Sequence, residues 1–412
     1  MRDAYIIDTA RTPRSAGKVG KGKLAELHPH LLFSTTLKAL SDRNDFNTAD
    51  VDDVIAGCGS QRSTQGYCIG RMGALDAGWD NEATGISIDR FCGSGLTSVN
   101  LAAMGIMSGM QDLTVGGGVE MMSLAPTFID APNLVDSNNL HLRDIHPQPH
   151  QGVCADVIAS MEGITRDEAD AFGAESQKRA ANAIENGHFD KSLVPVHDRD
   201  GTLVLDHEDF VRPGTTVAAL SELNPSFAGL YDYPMGPEDS KMSCREMIEK
   251  CYPDVKVEHI HHAGNSSGVV DGAGSVLLAS KDYADAHGLK PRARIVAMAN
   301  AACEPELMLN APVPAARKVL EKAGMSIDDI DLFEINEAFA VVALKFIRDL
   351  DLNPDIVNVN GGAIALGHPI GATGSVLVGT LLDEMERRDL STGLVTMCTG
   401  GGMAPALILE RV

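Results

Sequence analysis

Asn358-Val-Asn-Gly-Gly-Ala-Ile-Ala-Leu-Gly-His-Pro-Ile-Gly-Ala-Thr-Gly374 reads as a strand, then a glycine-dense turn carrying His368, then the start of a helix. Glycine lets backbone approach a ligand closely, and a helix N-terminus offers unpaired N–H groups. A histidine set there is better placed for chemistry than one on a helix face. Far upstream, Ile86-Ser-Ile-Asp-Arg-Phe-Cys92-Gly-Ser-Gly95 has the same strand–turn–helix form with a cysteine in the turn. A third glycine turn, Thr396-Met-Cys398-Thr-Gly-Gly-Gly402, lies near the C-terminus. One histidine and two cysteines, each on glycine beside a strand end, point to thiol-based acyl transfer.

Outward from these turns, residues 4–120 alternate two kinds of run. Tyr5-Ile-Ile, Val51 to Ile55, Ile86-Ser-Ile and Leu113-Thr-Val115 read as strands, the last ending in Gly116–Gly118. Helical patterns lie near 31–42, 66–79 and 94–110. This alternation predicts an α/β layered fold with a largely parallel sheet. Residues 285–412 repeat the scheme. They hold a strand over 292–298, a helix over 313–323 closed by Gly324, a strand over 331–335 and a helix over 337–350. The His368 unit follows, and a last strand runs into Gly400–Gly402. The matched order and matched glycine triplets predict duplicated halves whose Cys92 and His368 turns meet at the junction.

Three domains follow from this pattern. A first half covers 1–120 plus about 262–284, an inserted loop or lid domain 121–261, and a second half 285–412. The insertion contains one clear helix, opened by the capping box Thr165-Arg-Asp-Glu168 and stopped at Gly187. Residues 121–150 read as loop, and residues 224–262 lack clear periodicity, with prolines at 225, 234, 237 and 253.

The 412 residues are long enough for a large core, and the net charge of −23 disfavours nonspecific binding to nucleic acid or anionic membranes. An anionic substrate would need a local cationic patch. Eight cysteines without a C-x-x-C pair exclude a disulfide scaffold, a zinc ribbon and a thioredoxin-like site. The chain opens without signal-peptide character and has no apolar run of membrane-spanning length, so a reducing cytoplasm is expected.

Cys92, just before a helix, is expected to have a lowered pKa and act as nucleophile, rather than to pack as a structural thiol. His368 is placed to accept its proton or donate to a carbonyl oxygen, rather than only to cap local backbone. Cys398 is a second thiol that a simple hydrolase does not need. It suits proton transfer with a second substrate, a carbon acid or an incoming thiol.

These stretches resemble the thiolase family. The likeness covers Thr9-Ala-Arg-Thr-Pro13, the Cys92 turn, Gly264-Asn-Ser-Ser-Gly268 with Asp271-Gly-Ala273, Asn336-Glu-Ala-Phe-Ala340, and the His368 and Cys398 turns. The resemblance implies a five-layered αβαβα sandwich of two similar halves with an inserted loop domain. It implies reversible cleavage of 3-oxoacyl-CoA by CoA, with Cys92 acylated, His368 activating it and Cys398 moving the second proton. Asn336 would hold water in one oxyanion hole with His368, although its position also fits a helix N-cap. The N–H groups of Cys92 and Gly400 would form the second hole.

By the same resemblance Ser267, Met308, Phe339 and His150 contact the pantetheine or acyl part, and Arg212 lies near the CoA nucleotide. Coenzyme A and acetyl-CoA enter as substrates, and no permanently bound cofactor is expected. A homodimer or homotetramer is implied. Two departures bear on specificity: Gln151 stands where biosynthetic members often have Met, and residues 228–262 lengthen the link after Pro225-Ser-Phe227. Both favour degradative cleavage of a larger 3-oxoacyl-CoA over biosynthetic acetoacetyl-CoA formation. A carrier-protein-dependent synthase lacks the Cys398 turn, and a non-catalytic scaffold or lipid-carrier partner would be expected to lose one of the three residues. His259, His261 and His262 read as surface or strand histidines rather than a metal site.

Overall fold

The computed structural model describes residues 2–125, 134–237 and 241–412. Its strands are β1 (Ala4–Arg11), β2 (Ser15–Ala16), β3 (Asp53–Gly57), β4 (Gly85–Ile88), β5 (Leu113–Met121), β6 (Val196–His197), β7 (Leu203–Leu205), β8 (Val270–Ser280), β9 (Ala293–Ala302), β10 (Leu332–Ile335), β11 (Thr392–Thr396) and β12 (Met403–Arg411). The main helices are α1 (Pro29–Arg43), α2 (Ile69–Asp76), α3 (Ser94–Ser108), α4 (Gln151–Glu162), α5 (Arg166–Glu185), α6 (Cys244–Cys251), α7 (Pro312–Ala323), α8 (Ala340–Asp349) and α9 (Thr373–Arg388).

The large sheet has the order β10-β11-β12-β9-β1-β8-β5-β3-β4, with β2 added on β8. A short antiparallel seam, Tyr5↔Arg294 and Ile6↔Ala293, joins its halves. On either side of the seam the order is the same: β1, β8, β5, β3, β4 in one half and β9, β12, β11, β10 in the other. The second half's counterpart of β4 is a single parallel bridge, Phe333↔Val357. The strand expected at the start of the His368 stretch is therefore reduced to one bridge at Val357. Asn358 leaves the ladder with φ 47° and spends its side chain on the Ile335 backbone. A single turn of helix, Ala363–Leu366, precedes His368.

The sheet is mixed rather than largely parallel: among the described strands only β3–β4, β3–β5 and β10–β11 pair in parallel. The cause is that β8 and β12 run back antiparallel through the middle of their halves.

Three large apolar cores hold the outer helices, the two halves of the sheet and the central helices together as five layers. Leu32, Phe33, Leu37 and Ile69 of α1 and α2 cover the outer face of the first half. Leu96, Val99, Ala103 and Ile106 of α3 meet Leu377, Leu381 and Met385 of α9 between the halves. Burial on both sides suits α3, whose interior is apolar around most of its circumference and which ends on Gly109 at φ 77°. The third core holds Val319, Leu320, Val341 and Phe346 of α7 and α8 together with Val153, Val157 and Ile158 of α4.

The two glycine triplets do different jobs. Gly116–Gly118 lie inside β5, where a Cβ would collide with the α3 backbone, the neighbouring strand or the Gly371 carbonyl. Gly401 and Gly402 form the β11–β12 turn at φ 73° and 75°. One triplet permits close packing and the other a reversal, so they are not equivalents.

The expected helix over 166–186 is α5, with the Thr165–Glu168 capping box formed. Part of the expected loop over 121–150 lies outside the described residues. No helix among the described residues is long and apolar enough to cross a membrane.

Candidate active site

The Cys92 turn is held by its own polar groups. Asp89 accepts from the Phe91 N–H (2.7 Å), and Ser94 Oγ accepts from Arg90 N–H (2.9 Å) while donating to the Phe91 carbonyl (2.6 Å). Phe91 takes φ 47°, which carries the chain sharply from β4 into α3. The backbone N–H groups of Cys92 itself and of Gly400 lie close enough to the Cys92 sulfur to favour its thiolate. Burial pushes the thiol up to about 12, helped by the Glu120 and Asp89 carboxylates and opposed by those two donors. The expected lowering is therefore not what this environment produces. The resting group is a neutral thiol.

Cys398 is buried at the start of the reversal from β11 to β12, in a hydrogen-bonded turn where Thr399 N–H reaches the Met403 carbonyl at 2.8 Å. Burial, and then the neighbouring Cys92, raise its pKa well above the ordinary thiol range. The two turns touch. A Cβ at Gly93 would collide with Thr399, and one at Gly400 would come within 2.9 Å of the Phe91 ring.

His368 is buried against the start of α9. Its Nδ1 lies 2.6 Å from Thr373 Oγ1, whose proton goes to the Pro369 carbonyl at 3.0 Å. The hydroxyl oxygen is thus left to accept from Nδ1–H, so Nε2 carries the lone pair. Asn336 Nδ2 stands 3.4 Å from that Nε2. Burial, with a smaller push from Arg14, lowers the imidazole to about 4, so it is neutral near pH 7 and able to accept a proton. Asn336 is fully buried with Oδ1 unpartnered. The helix after it starts at Ala340 with Phe339 as its cap residue, so Asn336 is not the N-cap.

Residues 4–230 match the thiolase N-terminal domain and residues 289–411 the thiolase C-terminal domain. The chain belongs to the thiolase family. It is 38% identical to an acetyl-CoA acetyltransferase of Paracoccus denitrificans, with 100% of both chains covered. It is 37% identical to a 3-ketoacyl-CoA thiolase of Psychrobacter cryohalolentis, covering 100% of this chain and 98% of that one. A crystal structure of the Bacillus anthracis acetyl-CoA acetyltransferase superposes with TM-score 0.84 at 31% identity, covering 100% of this chain and 99% of that one. The five-layered sandwich is accordingly the thiolase fold, and the chain is an acyltransferase.

The remaining residues of this thiolase that the sequence singled out fall in two groups. Phe339 and Met308 are buried, and His150 is half-buried as the cap of α4, its Nδ1 accepting from Gly152 N–H at 3.1 Å. Phe227 packs between His150 (5.5 Å) and Phe339 (5.8 Å, edge to face). Phe227 and Phe339 share one core with Met308 and Cys398. Ser267 borders these rings and the His368 turn: its neighbour Ser266 bridges to Phe339, and the Gly268 carbonyl accepts from the His368 N–H at 2.9 Å. Ser267 is half-buried and donates its N–H to the Ala338 carbonyl. Arg212 is exposed, over the Phe210 ring whose edge covers Gly268.

The described residues of the 228–262 segment are well packed rather than a loose cover. Tyr231, Met235, Met247 and Ile248 enter the same core, and Cys244 Sγ sits 3.5 Å from the His150 N–H. Its histidines are not on the surface or in a strand as expected. His261 and His262 are buried, on Asp156 and Asp170 at 2.8 Å each, and His259 takes the second Asp156 oxygen. No group of three metal-binding side chains occurs among the described residues.

Sequence reasoning missed Thr373, although it lies inside the quoted stretch. A hydroxyl five residues after a turn histidine, at a helix start, was the available signal. It also missed Glu337, a buried carboxylate that accepts from Ser176 (2.6 Å), Asn358 (3.0 Å) and the Ile364 N–H (3.2 Å). Its distant partners left no local pattern to read.

Proposed function

We propose that this thiolase cleaves a 3-oxoacyl-CoA with CoA, reversibly, giving acetyl-CoA and a shortened acyl-CoA through an acyl group carried on Cys92. The observation that supports this most is that the Cys92 and Cys398 turns touch, so that a second thiol stands beside the first. In the cleaving direction the Cys92 sulfur attacks C3 as His368 Nε2 takes its proton. The C2–C3 bond breaks, the electron pair leaves as the acetyl-CoA enolate, and Cys398 protonates C2. The resulting Cys398 thiolate takes the proton of incoming CoA, whose sulfur attacks the thioester. Cys92 leaves and recovers its proton from His368.

A neutral imidazole with a free lone pair and a protonated second thiol are the starting states this sequence requires. N–H groups of Cys92 and Gly400 are assigned to the thioester oxygen, and Asn336 with His368, through a water, to the other developing oxyanion. Ser267, Met308, Phe339 and His150 are assigned to the pantetheine and acyl parts, and Arg212 to the CoA nucleotide.

We favour the degradative direction, as in fatty-acid or related acyl-CoA breakdown. The support is the 228–262 segment, packed behind His150 and the Phe227–Phe339 pair. A homodimer or homotetramer in a reducing cytoplasm completes the reading, and all eight cysteines are free thiols. The test is loss of the magnesium-enolate absorbance of 3-oxoacyl-CoA substrates of several chain lengths on adding CoA, with mass spectrometry locating the acylated residue. Strong preference for acetoacetyl-CoA over every longer substrate would favour the biosynthetic alternative. No turnover and no acyl-Cys92 at any length would favour a scaffold or carrier-partner role.

A further inference from the structure

One buried acid outside the reacting groups ties the two halves together at the site. Glu120, near the end of β5, is 1% exposed. Its Oε2 accepts from the Gly59 N–H (2.7 Å) and the Gly371 N–H (3.0 Å). Its Oε1 accepts from the Ser60 N–H (3.1 Å) and Gln65 Nε2 (3.3 Å). With Cys58 Sγ a further, weak donor 4.0 Å from Oε1, every one of these partners donates, and these donors oppose the burial that raises the carboxyl's pKa. Gly371 belongs to the second half and lies three residues after His368, whereas the other donors belong to the first half.

The Gly371 carbonyl faces the other way, into a socket with no side chains. A Cβ at Gly57 of β3, Gly95 of α3 or Gly118 of β5 would each come within 3.0 Å of that oxygen. Gly95 is three residues after Cys92. The peptide that follows the histidine turn is thus keyed into the same helix start that presents the nucleophilic thiol.

We propose that Glu120 is a positioning residue that sets where the His368 imidazole stands relative to the Cys92 sulfur. It does so by gripping Gly371 N–H while the glycine socket receives Gly371 O. The inference rests on the assignment of Cys92 and His368 above. Its energetic logic is that a displacement of about 1 Å in a reacting group costs on the order of 100-fold in rate. Replacing the carboxylate by an amide turns one accepting edge into a donor facing backbone N–H groups, which pushes the turn away. Glu120 also places negative charge near Cys92, so the same change has a second, separable effect on the thiol.

The experiment compares wild type with Glu120→Gln, Glu120→Asp and Gly371→Ala, the last of which crowds the turn without altering charge. Cys92 acylation in wild type, read by mass spectrometry, is measured first. Its absence would overturn the thiolase chemistry itself, independently of Glu120. With acylation present, Glu120→Gln and Gly371→Ala are expected to lower kcat about 100-fold with KM for CoA within about twofold of wild type. The apparent pKa for iodoacetamide alkylation of Cys92 is expected to fall in Glu120→Gln only. Glu120→Asp, which keeps the charge but shortens the reach, should give an intermediate loss in kcat without that pKa change. Turnover within about twofold of wild type in Glu120→Gln and Gly371→Ala would overturn the proposal. So would equal losses with the alkylation profile unmoved in Glu120→Gln, which a purely structural role would give. If Glu120→Gln does not fold, Glu120→Asp and Gly371→Ala decide by their kcat values alone.

Discussion

Thr373 fixes the tautomer of His368. Its hydroxyl proton is committed to the Pro369 carbonyl, so its oxygen, 2.6 Å from Nδ1, can only accept. That leaves Nε2 as the basic nitrogen, on the side where Asn336 lies. Thr373→Val keeps the shape and removes the acceptor. The expected result is a drop in the rate of Cys92 acylation of about tenfold or more, corresponding to the ~1.5–3 kcal/mol of a hydrogen bond to a group that becomes charged. Stopped-flow acylation with a 3-oxoacyl-CoA measures it, and an unchanged rate would remove Thr373 from the chemistry.

The two thiols have separate tasks in the proposed cycle, so their serine variants should fail differently. Cys92→Ser is expected to show no acyl-enzyme. Cys398→Ser is expected to accumulate acyl-Cys92 while turnover falls by on the order of 10²–10⁴, the usual span for loss of a general acid–base group. Intact-mass measurement after mixing with substrate reads both. Full activity in Cys92→Ser would mean that the roles have been misassigned.

Much of this site was visible in the chain because glycine beside cysteine or histidine is poor packing material, and three such turns stood out. What stayed hidden depended on distant neighbours. Glycine has no side chain whose periodicity could tell a reversal at Gly401–Gly402 from close packing at Gly116–Gly118. The direction of the Cys92 shift follows from how deeply the halves enclose its sulfur, and helix-start chemistry alone suggested the opposite. Asn336 looked like a helix cap because Asn commonly is one. Three more residues of loop let it turn to His368 instead. His261 and His262 read as surface because their partners, Asp156 and Asp170, lie on α4 and α5 about a hundred residues away.

The lowered pKa of His368 also makes a stability prediction. An imidazole held at about 4 in the native state, below its ordinary 6.5, means the folded protein binds fewer protons. Stability is then complete above about pH 6.5 and is lost as pH falls toward 4, by roughly 3 kcal/mol for this group. Asp271, pushed up to about 6 by burial, works in the opposite sense within the same window. The comparison is therefore between wild type and His368→Gln by urea denaturation at several pH values. The wild type should show the steeper loss below pH 6.5, and parallel curves would contradict the assignment.

The β4 strand is an end of the large sheet, and its surroundings are unusually apolar for an exposed edge. Ile86 is 46% exposed, Met104 of α3 52% and Tyr67 88%. Unpaired strand edges with exposed apolar neighbours are covered in stable proteins, commonly by a second copy related by twofold symmetry. On the homo-oligomer proposed above, Ile86→Lys should shift the population toward monomer in light scattering coupled to size exclusion. An oligomer unaffected by Ile86→Lys would move the interface to another face.

Asp156 is the link between the 228–262 segment and the rings assigned above to the acyl pocket. One oxygen accepts from the backbone N–H groups of Ile260 (3.1 Å) and His261 (3.0 Å) and from His261 Nδ1 (2.8 Å), and the other from His259 Nδ1 (2.8 Å). Burial alone would raise this carboxyl, but the two histidines and the backbone donors bring it below its usual range. The His261 ring in turn stands edge to face on Phe339 at 5.5 Å. Asparagine keeps one accepting oxygen and turns the other into a donor facing His259 Nδ1, so Asp156→Asn should destabilise the protein by about 1–3 kcal/mol. Because Phe339 also meets Phe227, the loosened wall should reduce kcat/KM for long 3-oxoacyl-CoA more than for acetoacetyl-CoA. The ratio of the two, measured below the unfolding temperature of the variant, is the deciding quantity. A ratio equal to that of wild type, with stability reduced, would make the segment a brace with no part in acyl-chain choice.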